Sequence, residues 1–134
     1  MGQNSFTIEM AVRDYECDMQ GVVNNAVYQN YLEHARHEYM KTLGIDFAEM
    51  TRQGINLVVT RVEIDYKMSL ASGDRFEVAV RMERLSPVRI GFYQDICRLP
   101  DRKTVVKALV TGTALNAKGR PQLPESLKQI LERA

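Results

Sequence analysis

Alternation of apolar and polar residues, the pattern of a half-buried β-strand, recurs in five segments of the chain. The segments are Phe6–Arg13, Leu57–Leu70, Phe76–Met82, Val88–Leu99 and Thr104–Asn116. In the second segment the apolar positions change phase after Val59, and a β-bulge near Thr60 and Arg61 would restore the alternation. The last segment carries small residues on one face, among them Gly112, so another element can pack closely against it.

Between Ala26 and Leu43 the apolar residues recur at every third or fourth position, which predicts an α-helix. Its apolar side comprises Tyr28, Tyr31, Leu32, Ala35, Tyr39 and Leu43. Asn24 or Asn25 can cap the start, because a side-chain oxygen there accepts a hydrogen bond from an unpaired amide of the first turn. Two shorter helices are predicted, one over Phe47–Gln53 and an amphipathic one that begins at Pro124.

The order of these elements predicts an α+β domain. Short turns join the four strands from Leu57 onward, so we expect each strand to pair with the next in an antiparallel sheet that also includes the N-terminal strand. The apolar side of the long helix needs a partner, and the inner face of the sheet supplies one. We therefore predict a curved five-stranded antiparallel sheet wrapped around one long helix, as a single domain over residues 1–134.

Composition and charge exclude several classes of function. A net charge of +1 gives no basis for nucleic acid or a membrane surface as a partner, and no apolar run is long enough to span a bilayer. Cys17 and Cys97 are far apart in the sequence, which favours a reduced pair in the cytoplasm. With two cysteines and two histidines, no metal site is expected. Any chemistry then uses carboxylates, amides and the backbone, without a cofactor.

Candidate chemistry lies in the segment just before the long helix, where Asp18 precedes Asn25 by seven positions. The N-terminus of a helix presents unpaired N–H groups that suit an anion or a developing oxyanion. A carboxylate beside such donors can serve acyl transfer, by attacking a carbonyl or by deprotonating water. The spacing also fits an ordinary turn followed by a capped helix, because Asp, Gly and Asn are common in both.

The same segment resembles the signature of a known enzyme family. Its residues are Asp18-x-x-Gly21-Val22-Val23-Asn24-Asn25-Ala26-x-Tyr28-x-x-Tyr31-x-Glu33-x-Ala35-Arg36. This pattern is similar to that of hotdog-fold acyl-CoA thioesterases of the 4-hydroxybenzoyl-CoA thioesterase type. Further matches lie at Gly54-Ile55-x-Leu57-Val58-Val59, at Gly73-Asp74 and at Gly119-Arg120-Pro121. The resemblance covers nearly the whole chain and implies the hotdog fold.

The resemblance implies hydrolysis of an acyl-CoA or acyl-carrier-protein thioester to a free acid and a thiol. Asp18 matches the catalytic carboxylate of the family, which acts as nucleophile or as general base. The backbone N–H of Asn25 matches the donor that polarises the thioester carbonyl, and Gly21, Val22 and Asn24 match the loop that contacts the substrate. In the family two subunits join their sheets and share the active site, so we expect a homodimer or homotetramer.

The chain departs from parts of the family at two places. Many bacterial members have Tyr-His where this chain has Asn24-Asn25, and plant acyl-carrier-protein thioesterases, which share the Asn pair, have histidine at the position of Val22. No imidazole therefore supports Asp18. A second hypothesis is a module that binds acyl-CoA or acyl carrier protein without turnover. A hydratase or dehydratase is disfavoured, because its motif needs a histidine in the loop, whereas His34 and His37 lie in the helix.

Other charged residues have two interpretations each. Glu33 lies in the helix that carries the catalytic carboxylate of a different hotdog subgroup. With Arg36 three positions later, a helix-surface or interface ion pair is the simpler interpretation. Arg61, Arg84 and Arg89 can hold the phosphates of a coenzyme A tail, since a guanidinium binds phosphate with two parallel hydrogen bonds. Each of the three is also an ordinary solvated charge on a strand.

Overall fold

One five-stranded antiparallel sheet and one long helix dominate the computed structural model, which describes residues 5–132. The strands are β1 (Ser5–Ala11), β2 (Asn56–Tyr66), β3 (Arg75–Arg84), β4 (Ile90–Leu99) and β5 (Thr104–Leu115). The helices are α1 (Asn25–Thr42), α2 (Phe47–Arg52) and α3 (Glu125–Glu132). The predicted α+β class is confirmed, and residues 1–4 and 133–134 of the predicted domain lie outside the described residues.

The long helix α1 lies where its apolar spacing predicts, and it packs on the inner face of the sheet. Its buried residues are Tyr28, Tyr31, Leu32, Ala35, Tyr39 and Met40. They meet the buried alternate residues of β3, which are Phe76, Val78, Val80 and Met82. The Tyr31 ring lies 4.6 Å from that of Phe76, and the Tyr39 ring lies 5.7 Å from that of Phe6 on β1. Phe76 lies at the start of β3, whereas Phe6 pairs with Val80, further along β3. The helix α1 therefore runs along β3 from the start of the strand toward its end.

The sheet order is β1-β3-β4-β5-β2, so β2 pairs with β5 and not with β3. The expectation of successive hairpins from Leu57 onward is therefore wrong at its first connection. β2 ends at Tyr66, before the predicted end at Leu70, because the amides of Lys67 and Met68 both donate to the Val105 carbonyl. The eight residues that follow β2 can extend about 26 Å. They cross the end of the sheet to β3, three strand spacings or about 14 Å away.

The predicted bulge in β2 is present. The pairing of β2 with β5 shifts register between Val59 and Arg61, and the Thr60 hydroxyl donates to the Thr111 carbonyl at 3.3 Å. Opposite the bulge, a Cβ added to Gly112 would lie 3.0 Å from the Val58 carbonyl oxygen. The two strands approach so closely here that only glycine fits without a shift of the backbone.

Strand β2 forms one edge of the sheet and leaves apolar side chains uncovered. Val59, Val62 and Tyr66 are 50%, 39% and 44% exposed, and we call these three residues the β2 strip. The Tyr66 ring also lies 5.7 Å from that of Tyr28, which places the strip beside α1. Natural proteins usually protect a long apolar edge strand from solvent, whereas the β2 strip is open in the single chain.

Candidate active site

A small hairpin carries Asp18 in front of α1. At its base the Asn24 N–H donates to the Glu16 carbonyl at 3.2 Å, and further along the Asp18 N–H donates to the Val22 carbonyl at 2.9 Å. The tip closes with a bond of 3.0 Å from the Gly21 N–H to the Asp18 carbonyl. Asp18 therefore lies at the tip, while the base of the same hairpin leads directly into the helix.

The Asp18 carboxylate is held by one of its two oxygens. Oδ1 accepts hydrogen bonds from the backbone amides of Gln20 at 2.9 Å and Val22 at 3.4 Å. No residue between positions 5 and 132 donates a hydrogen bond to Oδ2, and Asp18 is exposed in the single chain. The loop amides thus orient the carboxylate and leave its second oxygen available to a water molecule or a carbonyl carbon.

The start of α1 offers an unpaired amide. Asn25 is the first residue of the helix, so its N–H has no acceptor within the helix, and none of the described residues accepts from it. The next amide is occupied, because the Asn24 side-chain oxygen accepts from the Ala26 N–H at 3.0 Å. The Asn25 carbonyl accepts from the Tyr66 hydroxyl at 3.4 Å. A free N–H at the positive end of the helix dipole is a suitable donor to an oxyanion.

Gly21 has a conformational reason to be glycine. Its φ of 80° lies in the left-handed region, and a Cβ added there would have no atom within 4 Å. The open space beside the hairpin tip adjoins Asp18. Val22, which follows, is half-buried and bridges to Ala71 in the crossover between β2 and β3.

Two tyrosines of α1 form hydrogen bonds that fix the hairpin and the segment beside it. The Tyr28 hydroxyl accepts from the Leu70 N–H at 2.9 Å, and the Leu70 carbonyl accepts from the Val23 N–H at 2.9 Å. The Tyr31 hydroxyl donates to Glu16 Oε1 at 2.7 Å. Burial raises the pKa of both tyrosines, and the Glu16 carboxylate raises that of Tyr31 further, so both stay protonated.

Glu16, Tyr31 and Tyr66 are parts of this region that the sequence patterns did not predict. The spacing of apolar residues places Tyr31 on the apolar side of the helix and Tyr66 in a strand, and gives neither residue a hydrogen-bond partner. A signal was present, since a buried tyrosine hydroxyl needs a hydrogen-bond partner. Spacing along one element does not identify that partner, because Glu16 is 15 positions from Tyr31 and Asn25 is 41 positions from Tyr66.

Within one chain, the structure does not bring the three candidate phosphate-binding arginines to the hairpin. β3 begins beside the hairpin and ends at Arg84, about 30 Å away, and Arg89 follows in the next turn. Arg84 donates to two carbonyls of that turn, at 3.2 and 3.0 Å. Arg61 lies on β2 and forms an ion pair with Glu63 at 3.4 Å. Their role in phosphate binding stays a prediction.

The predicted ion pair between Glu33 and Arg36 does not form on the helix surface of the single chain, since no such pair occurs among the described side chains, and an ion pair at an interface stays a prediction. Instead, Arg36 donates from Nη1 to Gln94 Oε1 at 3.1 Å, and Gln94 Nε2 donates to the Leu32 carbonyl at 2.9 Å. Gln94 is buried on the inner face of the sheet and draws the guanidinium inward. Burial there lowers the pKa of Arg36 from its usual value.

A cavity of about 360 Å³ lies beside the C-terminal half of α1. Its lining includes apolar residues of β2 and β4, among them Leu57, Val59 and Phe92. The α1 side contributes Glu33 onward, which is eight positions after Asn25 and therefore about 12 Å further along the helix. The cavity and the hairpin are separate features of one chain.

A family model described as the Thioesterase-like superfamily matches residues 12–131. The chain belongs to this superfamily. An acyl-acyl carrier protein thioesterase from Arabidopsis thaliana, ATL2 (chloroplastic), is 46% identical over 114 residues, which are 85% of this chain and 61% of the relative. FadM, a long-chain acyl-CoA thioesterase from Escherichia coli, is 27% identical over 130 residues, which are 92% of this chain and 98% of the relative. The chain spans less than two thirds of the plant relatives that it matches.

Similarity to a solved structure confirms the hotdog fold. That structure is a 1,4-dihydroxy-2-naphthoyl-CoA thioesterase from Synechocystis, which superposes with a TM-score of 0.88 over 95% of both chains. The two sequences are 17% identical, so this likeness shows the shared fold alone.

Three further features of the described residues concern membrane spans, metal ligands and disulfides. No helix within positions 5–132 is both long enough and apolar enough to cross a lipid bilayer. Over the same stretch, no three His, Cys, Asp or Glu side chains come together as ligands for a metal ion. Cys17 and Cys97 are free thiols.

Asn24 is expected to stabilise the domain through its cap on α1. Asn24→Ala removes the acceptor of the Ala26 N–H and should lower the free energy of unfolding by about 1 kcal/mol in urea denaturation. Asn24→Asp keeps an acceptor at the same place and should retain the wild-type stability. An alanine variant as stable as the wild type would contradict the capping role of Asn24.

Proposed function

We propose that this protein hydrolyses acyl thioesters with the Asp18 carboxylate and the Asn25 amide. The observation that carries the proposal is the hairpin itself. Its tip holds the Asp18 carboxylate, one oxygen of which has no donor among the described residues, and its base leads to the unpaired Asn25 amide at the start of α1. The named relatives are thioesterases of acyl carrier protein or coenzyme A substrates. A base or nucleophile next to an oxyanion donor suits that reaction.

In the proposed reaction the Asn25 N–H binds the thioester carbonyl oxygen and stabilises the negative charge that develops there. Asp18 either takes a proton from the attacking water, or attacks the carbonyl carbon to form an anhydride that water then opens. In both routes the C–S bond breaks, the thiolate takes up a proton, and the free acid leaves. Residues 14–25 contain no histidine, so the carboxylate at the hairpin tip does this work without an imidazole.

Gly21, Val22 and Asn24 are the proposed contacts of the substrate around the thioester. Gly21 has no side chain and lies beside open space, so the substrate can approach the main chain at the hairpin tip. Val22 offers an apolar surface next to Asp18, and Asn24 keeps the first turn of α1 ordered. Together they would hold the carbonyl between the carboxylate and the Asn25 amide.

We infer that two chains join through the β2 strip and complete the site together. A two-fold axis at the middle of β2 would pair the two strands antiparallel and extend the sheet. Tyr66, at one end of β2, contacts the start of α1, whereas Val59, near the other end, lines the cavity. Antiparallel pairing therefore sets the hairpin of one chain beside the cavity of its partner, and the cavity would receive the acyl group.

The substrate carrier is coenzyme A or acyl carrier protein. Arg61, Arg84 and Arg89 lie away from the hairpin of their own chain. In the proposed dimer they would lie nearer the hairpin of the partner, and we propose that they bind phosphate groups of the carrier there. A phosphate bound by a guanidinium gains two parallel hydrogen bonds. Replacing each arginine by alanine should then raise KM for the thioester and leave kcat unchanged.

A cytoplasmic location is also proposed. Cys17 and Cys97 are both free. Thiols persist in reducing compartments, whereas oxidising compartments favour disulfides.

Size-exclusion chromatography with light scattering is expected to give a molar mass of at least twice the chain mass of 15.3 kDa. Val62→Lys places a charge in the centre of the β2 strip, where edge-to-edge pairing would bury it, so this variant should be monomeric. Because each site needs the partner's cavity, thiol release should fall with the dimer. Val62→Thr, of similar shape and without charge, is the matched control and should stay dimeric. A wild-type protein of monomeric mass at micromolar concentration would contradict both the dimer and the shared site.

The test of the proposed function is thiol release from acyl-CoAs of several chain lengths and from the matching acyl carrier proteins. Turnover of either carrier supports the hydrolase and identifies the carrier. Saturable binding without thiol release supports instead the non-catalytic binding module, which the lack of an imidazole keeps as the second candidate. Neither binding nor release would reject both functions.

A further inference from the structure

We propose that Glu16 is a positioning residue, which fixes the Asp18 hairpin to α1 through the Tyr31 hydroxyl. The inference rests on the proposed function, because it assigns Glu16 a part in the same site. Glu16 does not meet the substrate in this proposal. It acts through the hairpin that carries Asp18.

The Glu16 side chain is nearly buried at the base of the hairpin, with 12% of its surface exposed. Its Oε1 accepts hydrogen bonds from the Tyr31 hydroxyl at 2.7 Å and from the Arg13 N–H at 2.9 Å. Oε2 lies 3.9 Å from the Arg13 guanidinium, which is largely exposed. The carboxylate is therefore held on two sides, by the chain that enters the hairpin and by the helix behind it.

The main chain of Glu16 makes a second connection, to the start of α1. Its carbonyl accepts from the N–H of Asn24, the residue that caps the helix. Glu16 thus links both arms of the hairpin, and its side chain links them to a point about two turns into α1. These connections define the position of Asp18, two residues beyond Glu16, relative to the Asn25 amide.

Tyr31 is a firm anchor for this link because its ring is fixed in the core. The ring is 2% exposed and lies between those of Phe76, at 4.6 Å, and Tyr28, at 6.1 Å. Loss of its hydroxyl would leave the ring in place and the Glu16 carboxylate without its buried partner. The carboxylate would then turn toward water and take the hairpin with it.

A purely structural contact would not need these two residue types. Burying a carboxylate is unfavourable unless hydrogen bonds satisfy it, and an apolar pair at the same positions would stabilise the fold without that penalty. What the polar pair adds is direction, since the two hydrogen bonds on Oε1, at 2.7 and 2.9 Å, together define one orientation of the carboxylate. Directional control matters most where a reacting group must be placed, because an error of about 1 Å can reduce turnover about a hundred-fold.

The test compares Tyr31→Phe and Glu16→Ala with Glu16→Gln in steady-state thioester hydrolysis. The first two should lower kcat by about ten- to a hundred-fold, while KM stays within about two-fold, because the substrate surfaces are intact. Glu16→Gln retains an oxygen that accepts from Tyr31 and Arg13, so it should recover most of the wild-type kcat. Tyr39→Phe is the matched control. It removes a hydroxyl from the same helix, and none of the described residues bonds to that hydroxyl.

A folded Tyr31→Phe variant with wild-type kcat would overturn the proposal, as would a Gln variant as impaired as the Ala variant. Hydrogen exchange of the peptide over residues 14–24 separates this proposal from the proposed function. If the wild type hydrolyses no thioester, the function fails, and exchange alone decides the positioning role. Faster exchange of the hairpin amides in Tyr31→Phe than in Tyr39→Phe supports that role, and equal exchange overturns it.

Discussion

Asp18→Asn should remove most thioester hydrolysis and leave the fold intact. Asparagine keeps the oxygen that accepts from the Gln20 and Val22 amides, so the hairpin retains its internal hydrogen bonds. The amide can neither accept a proton from water nor attack a carbonyl. Loss of a catalytic carboxylate is expected to lower kcat by about a hundred-fold or more. The measurement is kcat for thiol release, together with thermal unfolding of both proteins.

Asp46→Asn is a matched control for this substitution. Asp46 is also an exposed aspartate whose side chain accepts a backbone hydrogen bond, from the Glu49 amide at the start of α2. It lies beyond the far end of α1, about 27 Å of helix away from the hairpin. Asparagine caps helices as well as aspartate does, so both stability and turnover should be unchanged. Wild-type turnover in a folded Asp18→Asn variant would reject the proposed mechanism.

A pair of substitutions at Asn25 should separate its backbone from its side chain. Asn25→Ala keeps the N–H and is expected to hydrolyse thioesters at nearly the wild-type rate. Asn25→Pro removes the N–H, and losing one oxyanion donor typically lowers kcat by about a hundred- to a thousand-fold. The comparison of kcat between the two variants measures what the amide contributes.

The proline variant should fold, because the backbone around position 25 already suits proline. Proline is favoured as the first residue of a helix, where no intrahelical hydrogen bond is lost. The residue before a proline must be extended, and Asn24 is, with φ of −63° and ψ of 138°. The Asn24 cap and the Tyr66 hydroxyl, which bonds to the carbonyl at position 25, need no N–H there. A dead but folded alanine variant would assign chemistry to the Asn25 side chain, and an active proline variant would remove the helix start from the mechanism.

Local patterns predicted most of this fold and the segment that carries the candidate site. The spacing of Tyr28, Tyr31 and Tyr39 defines α1 because the period of a helix is visible within a few residues. The bulge at Thr60 was predictable for the same reason, from a change of phase in one strand. Asp18 and Asn25 lie in one continuous segment, so their proximity did not depend on the rest of the chain.

Contacts between distant segments were not predictable from the same patterns. The pairing of β2 with β5 depends on which of two antiparallel neighbours the strand reaches, and alternation looks the same in both cases. Arg36 had Glu33 as a neighbour in the helix, yet it bonds to Gln94, 58 positions away on β4. Glu16 and Tyr31 are likewise joined only once the hairpin folds back on α1. The sequence therefore indicated where the candidate site residues lie along the chain, but not the long-range contacts around them.

The order in which a ribosome makes this chain is at odds with the order of its strands in the sheet. β2 is complete at Tyr66, but its partner β5 begins only at Thr104. At synthesis rates of about 5–20 residues per second, roughly 40 intervening residues leave β2 unpaired for about 2–8 seconds. Throughout that interval both edges of β2 are open in the nascent chain, the edge that later pairs with β5 and the edge that stays open in the finished single chain. If two chains pair through the β2 strip as proposed, contact between neighbouring nascent chains on one messenger RNA would cover the strip before the sheet is finished.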